Sequence, residues 1–566
     1  MERFFVAKNF KITTWDNLEV YFQDLLKREI SSKEAFLQWL KDLNELSAVI
    51  SEDMAWRYIK MTCDTKDKDI EASYMDFVQN ISPNIAPYQD KLNKKLIASP
   101  FKQELEGESK YHIYFRGIEK EVELFREENV PLFTEMQTLE SKYGNINGAM
   151  TVTIDGKELT LQQAGLNLKE NDRELRKSTY ESIGNRRLED KDALNDLFNE
   201  LIQLRHKVAV NTGFSNYRDY KFQSLGRFDY TKKDCFSFHE AIESEVVPLL
   251  KAQMAKRKEL MGLDLIKPYD TGVDPEGRSP LKPFSEADEI LDKCLAGFKR
   301  IDSYFGECIS TMKEKKYLDL GSRIGKAPGG YNYPLMESGI PFIFMNASGS
   351  LRDVETMFHE GGHAIHAFLA DKLELSAFKD TPSEVAELAS MSMELISMDV
   401  WDEFFEDKEE LKRAKIEQLE GIVSTLPWIA TIDAYQHWIY ENPNHTVEQR
   451  TEQWKSLSRR FGTGMVDHSG CEEMQENSWQ RQLHLYEVPF YYIEYGFAQL
   501  GAIAVWKNYL EDKEKGLQLY KEALSAGYTV SIPEVYEKAG VKFDFTSDYV
   551  KSLFDFLKEE LAKLEE

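Results

Sequence analysis

The sequence predicts a mainly α-helical protein with small β elements. Apolar residues recur every three or four positions along most of the chain, which is the period of one face of an α-helix. Only two stretches have the apolar pattern of strands, at 150–161 and at 340–346. No internal repeat or low-complexity linker divides the 566 residues, which suffice for one large core or several packed subdomains.

The N-terminal half has the pattern of successive amphipathic helices. Ser31 and Glu34 have the spacing of a capping box, in which each side chain binds the backbone N–H of the other residue. We therefore expect a helix to begin there and to bury one apolar face. That face comprises Phe36, Trp39, Leu40, Leu43 and Leu46. Comparable runs cover much of 66–145, 168–210 and 230–260.

Two strand patterns interrupt the helices. The segment 150–161 alternates around Asp155-Gly156, a pair typical of the tight turn of a β-hairpin. Residues 340–346 are apolar enough for a buried strand or an edge strand just before the next helix. The stretch 267–283 is rich in Gly, Pro and Asp, and we expect it to be a surface loop.

Charge and composition exclude several classes of protein. The net charge of −27 and the pI of about 5.0 argue against binding to nucleic acid or to an anionic membrane surface. No apolar run approaches the length of a membrane-spanning helix, and residues 1–8 lack the apolar segment of an export signal. The five cysteines are scattered without a C-x-x-C pair. We therefore expect a cytoplasmic protein with reduced thiols.

An H-E-x-x-H motif at 359–363 carries the strongest chemical signal. It lies in a helical run, 350–371, so His359 and His363 project from one face and can chelate one zinc ion. Glu360 stands beside them, placed to take a proton from a metal-bound water and pass it to the leaving amine. The motif alone is suggestive rather than decisive, because it also arises by chance.

A zinc site on this motif needs a third protein ligand. The metzincin pattern is excluded, because its glycine position holds His366 and its third histidine position holds Leu369. The other common solution is a carboxylate from a following helix, and Glu384 and Glu387 are in range. Thr381 and Glu384 form a capping-box pattern that would engage Glu384 at the helix start. Glu387 lies one turn into the helix and is free to face the metal, so we prefer it.

Several segments together resemble one peptidase family. They are P-F-I-F-M-N at 341–346, F-H-E-G-G-H-A-I-H-A-F at 358–368, A-E-L-A-S-M at 386–391, His484, and F-Y-Y-I-E-Y at 490–495. In this combination the chain resembles the oligoendopeptidase F and thimet oligopeptidase family of zinc metallopeptidases. The length and the long helical N-terminal half also fit that family.

The resemblance implies a fold and a third ligand. The family fold is a large helical ellipsoid with a deep substrate channel and a small β-sheet beside the zinc helix. The family places its third ligand, on one zinc ion per chain, at the position matching Glu387. His366 and Glu394 are then either packed residues or residues that orient a ligand. We expect 1–200 to form an N-terminal helical region with the hairpin, and 201–566 to form the catalytic region of one continuous unit.

A second set of residues would stabilise the oxyanion that forms when water attacks a peptide carbonyl. Composition alone favours tyrosines at 490–495 as core residues, whereas the resemblance gives this role to His484 and the tyrosines after it. The chain is one residue shorter between His484 and these tyrosines than the thimet pattern, which leaves the choice among them open. We rank Tyr495 first, then Tyr492 and then Tyr491.

Three features near the motif have two interpretations each. Glycine within a helix costs about 1 kcal/mol relative to alanine, so Gly361 and Gly362 indicate either close approach by a backbone or substrate, or simple tolerance. The loop 326–333 is either an ordinary surface loop or, as the resemblance implies, a segment at the active site. The strand 342–345 is either a core strand or an edge to which an extended peptide adds.

The sequence thus predicts a zinc-dependent endopeptidase that cleaves short oligopeptides, with no nucleic-acid or membrane partner. One alternative is a zinc carboxypeptidase or dipeptidase on a related helical fold, which needs a basic or polar group for the free carboxylate. Another is a catalytically silent helical peptide-binding protein, which the intact Glu360 disfavours. Manganese or cobalt is not excluded as the working metal.

Overall fold

The computed structural model describes residues 2–566, and α-helices dominate it, as the sequence predicts. Seven helices precede the hairpin in the described part of the chain. They are α1 (Trp15–Lys27), α2 (Lys33–Cys63), α3 (Lys68–Asp76), α4 (Ser82–Ile97), α5 (Lys102–Leu105), α6 (Ser109–Leu124) and α7 (Val130–Gly148). A π-helical turn, Phe77–Ile81, joins α3 to α4.

Helix α2 begins one residue later than the capping-box pattern indicates. Its N-cap is Ser32, whose hydroxyl accepts a hydrogen bond from the backbone N–H of Ala35 at 3.2 Å. The predicted apolar face is nevertheless correct, because all five residues of that face lie in the core. A shift of one residue at a helix end leaves the period of the buried face unchanged.

The predicted hairpin is confirmed. Strands β1 (Thr151–Ile154) and β2 (Lys157–Thr160) pair antiparallel in four register pairs. Asp155 and Gly156 both have positive φ, at 50° and 77°, which is the backbone that a two-residue type I′ turn requires.

Helices again fill the chain between the hairpin and the second sheet. They are α8 (Leu161–Gly165), α9 (Arg173–Glu189), α10 (Lys191–Asn211), α11 (Tyr217–Ser224), α12 (Lys232–Ala241), α13 (Val247–Leu260), α14 (Ala287–Ile301) and α15 (Ser303–Lys315). The predicted loop 267–283 contains only one short 3₁₀ turn, at Pro268–Asp270.

The second sheet lies immediately before the motif helix. It contains β3 (Leu318–Gly321), β4 (Tyr331–Tyr333) and β5 (Phe342–Ala347), in the order β3-β5-β4. Strand β5 pairs parallel with β3 and antiparallel with β4. Because both edges of β5 are already paired, residues 342–345 cannot accept an extended peptide, and the core-strand interpretation is the correct one. The sheet edge next to the motif helix belongs to β4.

The C-terminal part of the chain is helical to its end. Its helices are α16 (Leu351–Ala370), α17 (Ser376–Lys379), α18 (Ser383–Ser397), α19 (Lys408–Glu441), α20 (Val447–Phe461), α21 (Glu472–Glu476), α22 (Leu483–Glu487), α23 (Tyr492–Glu511), α24 (Lys513–Ser525), α25 (Ile532–Lys538) and α26 (Ser547–Glu565). Helix α16 confirms the helix expected over 350–371. Its N-cap Ser350 and Asp353 form a reciprocal capping box.

Two apolar cores underlie this arrangement. The main core extends from Leu124 to Leu557 and includes the stack in which α18 packs between α16 and α23. A second core joins α1, α2, α4 and α6, and it also takes in Leu375 and Phe378 at α17. Asn44 of α2 accepts hydrogen bonds from α17, so the N-terminal helices contact the segment between α16 and α18. The division of the chain near residue 200 stays a prediction.

Within residues 2–566, no helix is both long enough and apolar enough to cross a membrane. The longest helix, α19, contains Pro427 and many buried polar residues, including Asp433 and Gln436.

The two glycines of the motif mark places where α16 meets its neighbours. A Cβ on Gly362 would lie 2.7 Å from Cα of Ser390 and 2.9 Å from the carbonyl oxygen of Ala389, both on α18. A Cβ on Gly361 would lie 2.3 Å from the ring of Phe298. Close approach by another backbone therefore explains Gly362, and a packed aromatic ring explains Gly361.

We expect Gly362→Ala to destabilise the protein, because the methyl group has no room against the backbone of α18. Overpacking of this kind typically costs about 1–3 kcal/mol. Gly421 in α19 is the matched control, since a Cβ there meets nothing within 4 Å. Gly421→Ala should be neutral or should gain up to about 1 kcal/mol from helix propensity. Thermal unfolding midpoints measure both; equal midpoints for the two variants would contradict the packing argument.

Candidate active site

Helices α16 and α18 bring together the three residues that the sequence singles out as metal ligands. His359 and His363 lie one turn apart on α16, with ring centroids 4.9 Å apart. Glu387 extends from α18, and its Oε2 is 3.3 Å from Nε2 of His359 and 3.5 Å from Nε2 of His363. The carboxylate is buried, whereas the two imidazole side chains remain 15% and 16% exposed.

The donor set fits a divalent metal ion. Two imidazole nitrogens and one carboxylate oxygen lie within 4.8 Å of one another, and this set is typical of catalytic zinc sites with one open position. Burial alone would raise the pKa of Glu387, but the two imidazoles outweigh it and hold that pKa well below its usual value. The carboxylate is therefore ionised, which is the form in which it binds a cation.

A second carboxylate orients His359. Its Nδ1 is 2.6 Å from Oε1 of Glu394, and Oε2 of Glu394 accepts a hydrogen bond from Nε2 of Gln418 at 3.2 Å. With the Nδ1 proton donated to Glu394, the Nε2 lone pair of His359 faces the cluster. The interpretation of Glu394 as an orienting residue agrees with this geometry. His366 is buried and makes no hydrogen bond to these three residues within 2–566, so the orienting role has no support; its Nε2 is without a partner, and the residue lines the cavity beside His363.

The carboxylate of Glu387 also accepts two hydrogen bonds from side chains outside the cluster. Its Oε1 accepts a hydrogen bond from the hydroxyl of Tyr491 at 2.6 Å, and its Oε2 accepts one from Ser390 at 2.9 Å. Tyr491, the third-ranked tyrosine of the sequence analysis, therefore contacts one of the three clustered residues directly. Both hydrogen bonds fix the carboxylate plane relative to the two imidazoles.

The capping box expected at Thr381 is wrong. Pro382 is the N-cap of α18 and makes no side-chain cap, so the helix begins one residue too late for Glu384 to occupy the third helical position. Glu384 instead accepts a hydrogen bond from the hydroxyl of Tyr230 at 2.5 Å. The preference for Glu387 over Glu384 agrees with the geometry. What engages Glu384 is its hydrogen bond with Tyr230 rather than a helix cap.

Glu360 presents an oxygen without a partner. The residue is 4% exposed, and its Oε2 makes no hydrogen bond within the described residues. Burial raises the pKa of this carboxyl, and the imidazoles of His359 and His363 oppose the rise. An unpaired buried carboxylate oxygen costs about 1–3 kcal/mol or more, so the site is built for a donor such as water.

The glycine-rich loop 326–333 lies over this part of α16. Asn332 donates a hydrogen bond to the backbone oxygen of Glu360 at 3.2 Å, and a Cβ on Gly330 would lie 3.6 Å from Oε1 of Glu360. The loop is therefore beside the site, as the resemblance implies. Its tyrosines are occupied elsewhere, since Tyr331 stacks on Phe344 with centroids 4.7 Å apart.

His484 lies among the three tyrosines named by the sequence. The centroid of its ring is 4.9 Å from that of Tyr492, 5.6 Å from that of Tyr495 and 5.9 Å from that of Tyr491. Its Nε2 is 3.2 Å from the hydroxyl of Tyr495. The turn between α22 and α23 makes this grouping possible, because Phe490 adopts a left-handed backbone with φ of 67°.

Two residues that the sequence analysis missed fix the tautomer of His484. Trp428 can only donate, and its Nε1 donates to Oε1 of Gln482 at 3.2 Å. The amide nitrogen of Gln482 then donates to Nδ1 of His484 at 2.7 Å, which leaves the ring proton on Nε2. Burial lowers the pKa of His484 to about 4, against the pull of Glu387, so the ring is neutral near pH 7.

A cavity of about 220 Å³ adjoins the cluster between the β4–β5 connection and α16. His363 and Tyr491 form its inner wall, and Asn332 of β4 forms part of its side. The remaining wall is mostly apolar and includes Pro334, Leu335, Met336, Pro341 and Ala367. A peptide side chain could occupy this space next to the three clustered residues.

Comparison with known proteins gives a family-level match. The sequence model of peptidase family M3 matches residues 166–554, and that of the peptidase M3 N-terminal domain matches residues 5–125. The first match alone covers more than half of the chain.

Individual relatives are more distant. Oligopeptidase PepF of Bacillus subtilis is 24% identical over 395 residues, which are 66% of this chain and 57% of that protein. An oligoendopeptidase F homolog of Lactococcus lactis subsp. lactis is 25% identical over 330 residues, covering 58% of this chain and 53% of the homolog. The chain thus spans a little over half the length of these relatives. The solved structure of PZ peptidase A with inhibitor 2 superposes with a TM-score of 0.93 at 26% identity, covering 99% of both chains.

We expect Glu394→Gln to weaken zinc binding at the three clustered residues about 10- to 100-fold, because His359 loses the carboxylate that orients it. Glu355→Gln is the matched control. Glu355, on α16, is a buried carboxylate like Glu394, but it pairs with Arg352 rather than with one of the three clustered residues. Competition with a chromogenic chelator measures the zinc affinity. Equal affinities for both variants and the wild type would contradict an orienting role for Glu394.

Proposed function

The chain belongs to peptidase family M3, and from this membership we propose that it is a zinc-dependent endopeptidase acting on short oligopeptides. His359, His363 and Glu387 would hold one zinc ion at the active site. The single observation that supports this most is the unpartnered Oε2 of buried Glu360 beside two imidazoles and a carboxylate. A binding protein has no need to retain an unsatisfied base beside a metal-ligand set.

Zinc, when bound, supplies Lewis acidity that polarises a peptide carbonyl, lowers the pKa of a water molecule and neutralises developing charge. Glu360 accepts the proton of the attacking water through Oε2 and later delivers it to the leaving amine. Its raised pKa favours the uptake of the proton, because burial disfavours the charged carboxylate. Asn332 and Gly330 of the loop 326–333 lie against the other side of Glu360.

His484 and Tyr495 would donate hydrogen bonds to the oxyanion. The relay from Trp428 through Gln482 supports this role for His484, because it leaves a proton on Nε2. The hydroxyl oxygen of Tyr495 lies 3.2 Å from that nitrogen, so the two groups are close enough to donate to one oxyanion. Tyr492 ranks after Tyr495, and we assign Tyr491 to holding Glu387 instead, because its hydroxyl is already bound there.

Substrate would bind as an extended strand along β4. The edge of β4 that faces away from β5 carries backbone groups that can pair with a peptide without demanding particular side chains. Limited exposure of the two imidazoles suits a peptide chain rather than the surface of a folded protein. The five cysteines form no disulfide, which fits a reducing compartment, and we propose that the protein degrades peptides in the cytoplasm.

One observation favours the exopeptidase alternative. Arg481 forms no ion pair with any residue in 2–566, and it lies over the ring of Trp428 at 5.0 Å, close to the environment of His484. Trp428 and Gln482 connect this guanidinium to His484, and an unpaired guanidinium is a group that binds the free carboxylate of a peptide terminus. A peptide blocked at both ends separates the two activities, because only an endopeptidase cuts it.

The decisive experiment compares wild type and Glu360→Gln on an internally quenched oligopeptide blocked at both ends. We expect the wild type to cleave it and the variant to lose about 100-fold or more in rate, because the proton acceptor is gone. Zinc content should be equal in the two proteins, and Glu355→Gln should retain activity. No cleavage by zinc-loaded wild type would move the assignment to an exopeptidase, or to a binding protein if unblocked peptides also survive.

The role of Gln482 can be tested by inverting its hydrogen bond. In Gln482→Glu a carboxylate faces Nδ1 of His484 and draws the proton away from Nε2, so we expect kcat to fall about 100-fold with little change in KM. As the pH falls, the imidazolium forms and restores the proton on Nε2, so the ratio of variant to wild-type kcat should rise. Gln482→Met removes the hydrogen bond without adding charge, and its ratio should stay flat with pH. A flat ratio for both variants would refute the tautomer argument.

A further inference from the structure

A second group of metal-ligating side chains lies between α12 and α19. Cys235 and His239 are four residues apart on α12, and Asp433 and His437 are four residues apart on α19. Residues at this spacing share a helix face, so two facing pairs converge at one point. None of the four belongs to the active site, which is built on α16, α18 and α23.

The distances within this group are those of a metal site. One ligand atom each from Cys235, Asp433 and His437 lie within 4.8 Å of one another. Oδ2 of Asp433 is 3.2 Å from Nε2 of His437, a contact that lacks hydrogen-bond geometry, and 2.9 Å from Nε2 of His239. His239 and His437 are each 3% exposed, and Cys235 and Asp433 are fully buried.

Several polar atoms of the group have no partner. Oδ1 of Asp433 and both ring nitrogens of His437 are buried and make no hydrogen bond within residues 2–566. Each such atom costs about 1–3 kcal/mol when it is left unsatisfied. Three aromatic rings surround the ring of His437, those of Phe222, Phe236 and Phe490. These rings have no polar atom that could bind its nitrogens. A cation between Asp433 and His437 would satisfy Oδ1 of Asp433 and Nε2 of His437 together.

Charge also balances at this point. A cysteine thiolate and an aspartate carry two negative charges, which one divalent ion neutralises in the buried interior. Two fixed cations near the group are paired with other carboxylates: Nη2 of Arg227 is 2.8 Å from Oε1 of Glu494, and Arg218 pairs with Asp219 and Glu441. Sulfur, imidazole nitrogen and carboxylate oxygen together are the donors that zinc accepts.

We propose that Cys235, Asp433 and His437 form a second, structural site for a divalent metal ion of the zinc class. Asp433 contributes both carboxylate oxygens, which gives four donor atoms, and His239 holds that carboxylate by a hydrogen bond. Binding of the ion transfers the thiol proton of Cys235 to solvent, so the thiolate is the ligand. The ion would join α12 to α19 inside the main core. The proposal does not depend on peptidase activity.

Cobalt is the appropriate probe, because a cobalt–thiolate bond gives a near-ultraviolet charge-transfer band and the active site contains no sulfur ligand. We expect wild-type protein produced in cobalt-supplemented minimal medium to contain two cobalt ions per chain and to show the band. His363→Ala should lose one ion and keep the band. Cys235→Ser should lose one ion and the band.

Cys294→Ser is the matched control, since Cys294 is a fully buried free cysteine of α14 outside the group. It should keep both ions and the band. His437→Gln provides a second disruption that leaves the thiol intact, and it should also lose one ion. One cobalt per chain without a band in folded wild type would overturn the proposal. A band that persists in Cys235→Ser would overturn it as well, by assigning the band to another thiol.

Discussion

The close packing of α16 against α18 is the constraint on which the site depends. The histidines and the carboxylate that would share a metal ion stand on different helices, so their separation is set by how near the two backbones come. Gly362 permits that approach at Ser390. Helix α18 also packs against α23, which carries Tyr492 and Tyr495. One layer of three helices therefore positions the ligand set and the residues around His484 together.

Around this layer, polar side chains are placed so that each active-site group has one role. Glu394 accepts a hydrogen bond from Nδ1 of His359, and Gln482 donates one to Nδ1 of His484. Tyr491 and Ser390 donate hydrogen bonds to Glu387. Within residues 2–566, Oε2 of Glu360 is left without a hydrogen-bond partner, as is Nε2 of His366 on the same helix. Burial strengthens each of these hydrogen bonds, because little water competes for them.

The parts predictable from sequence are those determined by local spacing. The 3.6-residue period located α16, and the Asp155-Gly156 pair located the hairpin turn. The preference for Glu387 came from resemblance and from the capping argument against Glu384, and that capping argument was wrong by one residue. The pairing of β5 on both edges could not be foreseen, because period alone does not reveal a strand's neighbours. Gln482 bonds a tryptophan 54 positions away, and no local pattern encodes such a contact.

The placement of α17 has a mechanical consequence. This short helix lies in the connection between α16 and α18, yet Phe378 packs in the N-terminal core and Asn44 of α2 binds its backbone. The N-terminal helices are thus attached to the segment that joins the two ligand-bearing helices. Any displacement of those helices as a rigid group would pull on this connection and be transmitted to the gap between His363 and Glu387. The N-terminal helices are therefore attached, through α17, to the spacing between the two ligand-bearing helices.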